Sequence, residues 1–265
     1  MNSKAIKRQL LAAIAMVLVA AIALGSSTYA WFVQSNTVTA EGMEVQAQAE
    51  GGIEITNADK GTWASTAQAK ITGITKLYPA STQNTSDWYH AQARASTAKD
   101  ADTESYKKLT LDDTGKATAE DEFKDKQFYL VNKFSIRATA GTSAKNLMID
   151  RVTVTPTGEN TTNLDKSLRI AVKAGENTYV FAPTSDNLTY NVWNGTALAL
   201  QVSANKGDTQ VATGVTTITS TGTDVLIYIW YEGEDAQHFS NNLQPKVDTL
   251  SVTVQFSATT GEAAA

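Results

Sequence analysis

The 265-residue sequence predicts an all-β chain, a jelly-roll-like antiparallel β-sandwich with a polar loop/helix insertion, preceded by a helical signal peptide. Three observations carry that expectation. After residue 30 the chain is dominated by Thr, Val, Ile, Ser, Asn and Gly, and sustained helical periodicity is scarce. Apolar and polar residues alternate along 43–50, the period-two pattern of a strand with one buried face. Many further short apolar runs are separated by turn-forming residues, as sandwiches and jelly rolls require.

The elements follow in order. Met43, Val45, Ala47 and Ala49 alternate with Glu44, Gln46, Gln48 and Glu50; Gly51-Gly52 breaks the pattern and Ile53-Glu-Ile55 resumes it. Segments 128–138 and 144–155 read as strands. Segments 168–173 and 178–181 flank Gly175-Glu-Asn177, which reads as a hairpin turn. Segments 196–203, 215–219, 224–231 and 249–257 complete the set. Val225-Leu-Ile-Tyr-Ile-Trp-Tyr231 is apolar at both parities and predicts a central strand covered on both sides. Leu250, Val252, Val254 and Phe256 alternate with Ser251, Thr253 and Gln255, which predicts one wet face.

Residues 82–126 differ. They are rich in Ala, Thr, Asp and Lys around Trp88-Tyr89, and read as a polar insertion with a short helix near Ala119 to Lys124. No internal repeat and no Pro-rich linker divides the chain, so one domain over 41–259 is expected, with 260–265 as a C-terminal tail.

Composition narrows the function. Formal charge is −5, and −8 without the first thirty residues, spread along the chain. That argues against nucleic acid as a partner, which favours concentrated Lys and Arg. Cysteine is absent, which excludes disulfides, a thiol nucleophile and Cys-based metal sites. In an exported chain this suits a Gram-positive surface better than a disulfide-rich secreted domain.

Export is expected from residues 1–30. Lys4, Lys7 and Arg8 precede the apolar run Leu10 to Leu24 and the small-residue stretch Gly25-Ser-Ser-Thr-Tyr-Ala30. The run falls short of the roughly 20 residues that span a bilayer, which favours a cleaved signal over the alternative, an uncleaved anchor helix. Thr28 and Ala30 occupy the −3 and −1 positions of a cut that makes Trp31 the new N-terminus. Membrane contact is therefore expected only through the signal peptide before cleavage, and the mature chain in the extracellular matrix or at the cell surface. The C-terminal residues Thr259 to Ala265 contain no sorting pentapeptide or apolar tail, so retention at the cell is expected through assembly or a bound partner.

Catalytic motifs are sparse. The two histidines, His90 and His238, cannot form a His-Glu-x-x-His zinc helix. Neither a Gly-x-Ser-x-Gly elbow nor a phosphate-binding Gly-rich loop occurs, so no enzyme activity, catalytic residue or cofactor is expected. The most suggestive cluster is Glu232, Glu234, Asp235 and His238, whose carboxylates and imidazole suit a divalent ion. The same residues also read as an acidic turn closing a buried strand, the preferred interpretation. Trp63, Trp88, Tyr89, Tyr190 and Trp193 read either as a sugar-stacking platform or as ordinary β-sheet packing.

The order of a small-residue patch, Thr28-Tyr-Ala30, Trp31-Phe32, Thr37-Val-Thr-Ala-Glu-Gly42 and an alternating strand resembles the TasA/camelysin family of secreted Gram-positive proteins. Weaker echoes lie in Phe134-Ser-Ile-Arg-Ala-Thr-Ala-Gly141, Lys145-Asn-Leu-Met-Ile149 and Leu250-Ser-Val-Thr-Val-Gln-Phe-Ser-Ala258; residues 63–126 have no part in it. The resemblance implies a jelly-roll subunit of a biofilm matrix fibre, cut by a SipW-type signal peptidase. It further implies head-to-tail assembly by donation of the freed N-terminal strand. The partners expected are other copies of the chain, that peptidase and an accessory matrix or anchoring protein. Camelysin-like metallopeptidase activity also comes with the resemblance, but the zinc-protease helix is missing.

Residues 31–40 are the candidate donor strand. Ten extended residues reach roughly 33 Å, enough to enter a neighbouring domain. Burial of Trp31, Phe32, Val33 and Val38 stabilises by about 1.5–3 kcal/mol per large side chain before ordering costs. The rival expectation is a monomeric secreted adhesin or carbohydrate-binding module.

Overall fold

The computed structural model describes residues 44–50, 52–57, 62–70, 77–91, 106–157, 167–183, 189–194, 198–203, 211–233 and 249–262. The expected signal peptide, its cleavage residues Thr28, Ala30 and Trp31, and the donor residues Phe32, Val33 and Val38 lie outside them. In chain order the strands are β1 (Glu44–Ala49), β2 (Ile53–Asn57), β3 (Thr66–Lys70), β4 (Trp88–Ala91), β5 (Tyr106–Leu109), β6 (Leu130–Ala138), β7 (Thr142–Thr157), β8 (Leu168–Ala174), β9 (Asn177–Pro183), β10 (Thr189–Trp193), β11 (Leu198–Ser203), β12 (Val211–Ala212), β13 (Thr217–Ile218), β14 (Thr223–Tyr231) and β15 (Thr249–Glu262).

They form a β-sandwich. One sheet runs β12-β7-β15-β1-β3, with β13 also on β7; the other runs β11-β10-β9-β8-β14-β6-β2. Pairing is antiparallel throughout except that β1 lies parallel to β15, Val45 opposite Val252 and Ala47 opposite Val254. The alternation read in β1 and β15 is realised: Val45, Ala47, Val252, Val254 and Phe256 point inward and are buried. They meet Ile55, Phe134, Ile136, Ile170, Val172, Ile227 and Ile229 from the opposite sheet in one hydrophobic core. Period-two patterning is what lets each strand contribute every second side chain to this layer.

β15 continues beyond the expected end at Ser257 to Glu262. Register shifts at Gln255/Phe256 and Ser257/Thr259 let it track β7 as far as the Glu262–Thr142 pair. The hairpin at Gly175-Glu176 joins β8 to β9 as expected, with Gly175 at φ 61. Of the expected strand 215–219 only Thr217–Ile218 is a strand, because Gly214 turns the chain at φ 82 just upstream.

The 82–126 insertion is less polar in structure than in sequence. Trp88, Leu109, Ala117 and Phe123 form a second hydrophobic cluster with Phe128, Tyr129, Ala171, Val180 and Trp230. Trp88 stacks on Tyr129 at 4.4 Å and meets Trp230 edge-on at 5.2 Å. Ala171, Val180 and Trp230 belong to the outward face of the seven-stranded sheet, so the insertion sits on that face. This explains the double-sided apolarity of β14. Ile227 and Ile229 face the sandwich core, while Trp230 faces the insertion and Tyr228 is half-buried against it.

No helix forms near Ala119 to Lys124, contrary to expectation. The Asp121 carboxylate accepts from the Phe123 amide at 2.8 Å, and tight turns follow from Lys124 to the Asp121 carbonyl and from Lys126 to the Phe123 carbonyl. An Asp side chain that captures a nearby amide competes with helical bonding. Asp125, at φ 64, then leaves helical space altogether.

Candidate functional site

The outward face of the seven-stranded sheet is only partly roofed by the insertion. Register places four adjacent strands there in phase: Trp230 opposite Arg169, Ala171 opposite Val180, and Val180 opposite Trp193. Beyond the insertion's edge this face opens into a cleft of about 220 Å³. Val180 and Ala182 form its apolar floor, Arg169 and Glu232 are the charged lining groups, and Thr82 and Gln83 come from the insertion. Trp193 completes the lining.

Trp193 is 45% exposed, unusual for an indole when the other described tryptophans with comparable strand positions are buried. It lies at a register shift, where pairing with β11 passes from Val192–Leu200 to Trp193–Leu198. Such irregularities increase local twist and re-aim side chains.

Glu232 is fixed from two sides. The Ser81 hydroxyl donates to Oε1, and the Trp230 indole N–H reaches Oε2 at 3.4 Å. Its amide donates to the Ser167 carbonyl at 2.9 Å, and its neighbour Gly233 donates to the Ala80 carbonyl, which ties the end of β14 to the segment leading into the insertion. Arg169 donates to its neighbouring Leu168 carbonyl at 3.1 Å.

The wall from the insertion is rigidly built. Thr82 Oγ1 donates to the Asp87 carbonyl at 2.7 Å and accepts from the Thr85 amide at 3.0 Å. Asn84 Oδ1 accepts from the amides of Ser86 and Asp87, both at 2.9 Å. The Trp88 indole closes the loop on the Thr85 carbonyl at 3.2 Å. Thr85 itself sits at φ 59. A β-branched residue there is strained, and it persists only when its surroundings over-determine it.

The aromatic residues read as a sugar-stacking platform do not share one surface. Trp88 and Tyr190 are buried, the first in the outer cluster and the second in the sandwich core. Trp63 lies beneath the Arg137 guanidinium at 4.3 Å. Tyr89 is 36% exposed but does not line the cleft; Trp193 does. Of the acidic cluster, Glu232 reaches the cleft, whereas Glu234, Asp235 and His238 lie outside the described residues. Among the described residues no group of three His, Asp or Glu side chains is placed to hold a metal ion. Arg169, Thr82 and Gln83 escaped the sequence reading. Outward parity along β8 marks Arg169 as a face residue, but nothing local to 82–83 points to the cleft.

No family model, curated protein or solved structure matches this chain.

The edges of the sandwich are a second candidate surface. β2 is covered on its outer side by the Ile55–Ala64 bridge, with mutual amide–carbonyl bonds of 2.8 and 3.1 Å. The β7 edge carries only the two-residue strands β12 and β13. Among the described residues, β3 and β11 are the longer strands that have a single neighbour. Such edges present unpaired main-chain donors and acceptors.

Proposed function

We propose that this chain is an exported structural subunit of an extracellular matrix fibre, of the kind the TasA/camelysin resemblance implies. Subunits join head-to-tail when residues 31–40, freed by cleavage after Ala30, add as a strand to the edge of the next copy. The observation that supports it most is the placement of β1. The candidate donor segment leads, through three residues, into a strand held on both sides: parallel to β15 from the Glu44–Ser251 pair onward, and antiparallel to β3. A donor segment needs an anchor of this sort, because the contact must transmit load between subunits.

The acceptor is β11 of the neighbouring copy. Its sequence, Leu198-Ala-Leu-Gln-Val-Ser203, alternates the larger apolar residues Leu198, Leu200 and Val202 with Ala, Gln and Ser, and it has one neighbouring strand among the described residues. Main-chain bonds to an incoming strand supply affinity, and alternate side chains supply register. A donor at one end and an acceptor elsewhere make a heterologous contact, which grows filaments rather than closed dimers.

The test compares a chain starting at Trp31 with one starting at Thr39. Filaments visible by electron microscopy are expected from the first, and a monomer by sedimentation from the second. Equal polymerisation of both, or a monomer in both cases, rules the reading out.

A further inference from the structure

We propose that the cleft between the insertion and Trp193 is a saccharide-binding site, which takes a neutral hexopyranose unit of a polysaccharide. This binding function is separate from strand donation and uses a different face of the sandwich.

A pyranose ring presents one apolar C–H face and a rim of hydroxyls. Trp193 supplies a broad, exposed aromatic surface for the first, and its pairing opposite Val180 sets it beside the apolar floor of the same cleft. Hydroxyls need both donors and acceptors. Arg169 supplies donors only, the Glu232 carboxylate accepts, and the Gln83 amide does both, while the Thr82 hydroxyl, engaged by the Asp87 carbonyl and the Thr85 amide, shapes the wall. Among the described lining residues, the opposite charges of Arg169 and Glu232 leave no net sign. An ionised sugar would meet one attractive and one repulsive charge and gain little net attraction, so a neutral ring loses nothing by comparison.

The polar groups of the cleft are also preorganised. The Ser81 and Trp230 bonds hold the Glu232 carboxylate in one orientation. Thr82 is held by the Thr85 and Asp87 main chain in a loop stabilised despite the strained φ of Thr85. Polar groups held in place before binding lose little freedom on meeting a ligand. The cleft is partly open to solvent, which gives a sugar access to it.

The probe is an array of glucose, galactose, mannose and N-acetylglucosamine oligosaccharides, followed by titration of the full chain monitored by isothermal titration calorimetry. Saturable binding to at least one series is expected. Trp193→Ala is expected to weaken it about tenfold or more, and Gln83→Ala to weaken it less. Trp193→Phe keeps an aromatic face and is expected to retain part of the affinity, which separates stacking from a general loss of structure. Circular dichroism of all three variants should match the parent, because these side chains lie at the surface. No saturable binding on the array, or Trp193→Ala binding as tightly as the parent, overturns the proposal. Neither result bears on filament growth, which the N-terminal truncation tests separately.

Discussion

At the scale of single residues, the insertion depends on a few positions whose chemistry is unforgiving. Gly115 has φ 91, and a Cβ there would lie 2.3 Å from the Tyr129 carbonyl oxygen and 2.7 Å from its ring. Backbone cannot retreat as a flexible side chain can, and the Phe128 amide donates to the Gly115 carbonyl at 2.9 Å. Gly115→Ala is therefore expected to cost on the order of 1–3 kcal/mol, read as a lowered midpoint in urea unfolding. Gly141→Ala, with nothing within 4 Å of its Cβ position, is the control and should cost less.

His90 gives the same region a pH dependence. Burial lowers its pKa below the ordinary 6.5, and the nearby Lys126 and Lys107 push the same way, while its bond with the Pro79 carbonyl and the charge of Glu122 oppose them. The ring packs against Phe123 at 4.7 Å and Phe128 at 5.8 Å. With a folded-state pKa below the unfolded one, the unfolded chain binds the proton more tightly. The contribution is complete above the ordinary histidine value and is lost as pH falls below it toward the folded value. Carboxylates such as Asp121 and Glu122, held low by bonds from the Phe123 amide and Lys107 respectively, respond only further down, in the acid range. Thermal melts are expected to fall between pH 6.5 and 5 in the parent and to be flatter there in His90→Leu; equal slopes refute the assignment.

At the scale of elements, the sandwich was legible and the insertion was not, for a definite reason. β1, β8, β14 and the 252–256 part of β15 each bury at least every second residue, so their alternation or continuous apolarity is written locally. β3, Thr66-Ala-Gln-Ala-Lys70, has little strand propensity of its own and is a strand through its register with β1. β4 and β5 are four residues each, and their partner Phe123 lies in a run of charged neighbours. The helix expected near Ala119 failed because Asp121 and Asp125 favour turns over helical bonding. For the cleft, Trp193 and Glu232 were visible as residue types, yet their association with Arg169 and Thr82 depends on the β14-β8-β9-β10 neighbour order. Sheet order of that kind is decided by long-range packing, not by any local pattern.

At the scale of the whole molecule, two hydrophobic clusters share one sheet. Val172 and Ile229 face the sandwich core; their neighbours Ala171 and Trp230 face the insertion. The insertion's own cluster is the smaller, and its elements are short strands and turns, so it is the natural unit to open first. Phe128 sits at its centre, fully buried against Tyr78 at 5.7 Å and Phe123 at 5.7 Å. Phe128→Ala removes an entire buried ring, a loss of about 3–5 kcal/mol. Hydrogen exchange should then show amides of β4, β5 and the 111–127 turns exchanging faster, while β8 and β14 keep their protection. The sandwich core supports those strands from the other side, so loss of the roof does not unfold them. Equal loss of protection in β8 and β14 would show instead that both clusters form one cooperative unit. In the expected case, opening the insertion also displaces Thr82 and Gln83 from the cleft, so Phe128→Ala should weaken saccharide binding without touching a cleft residue.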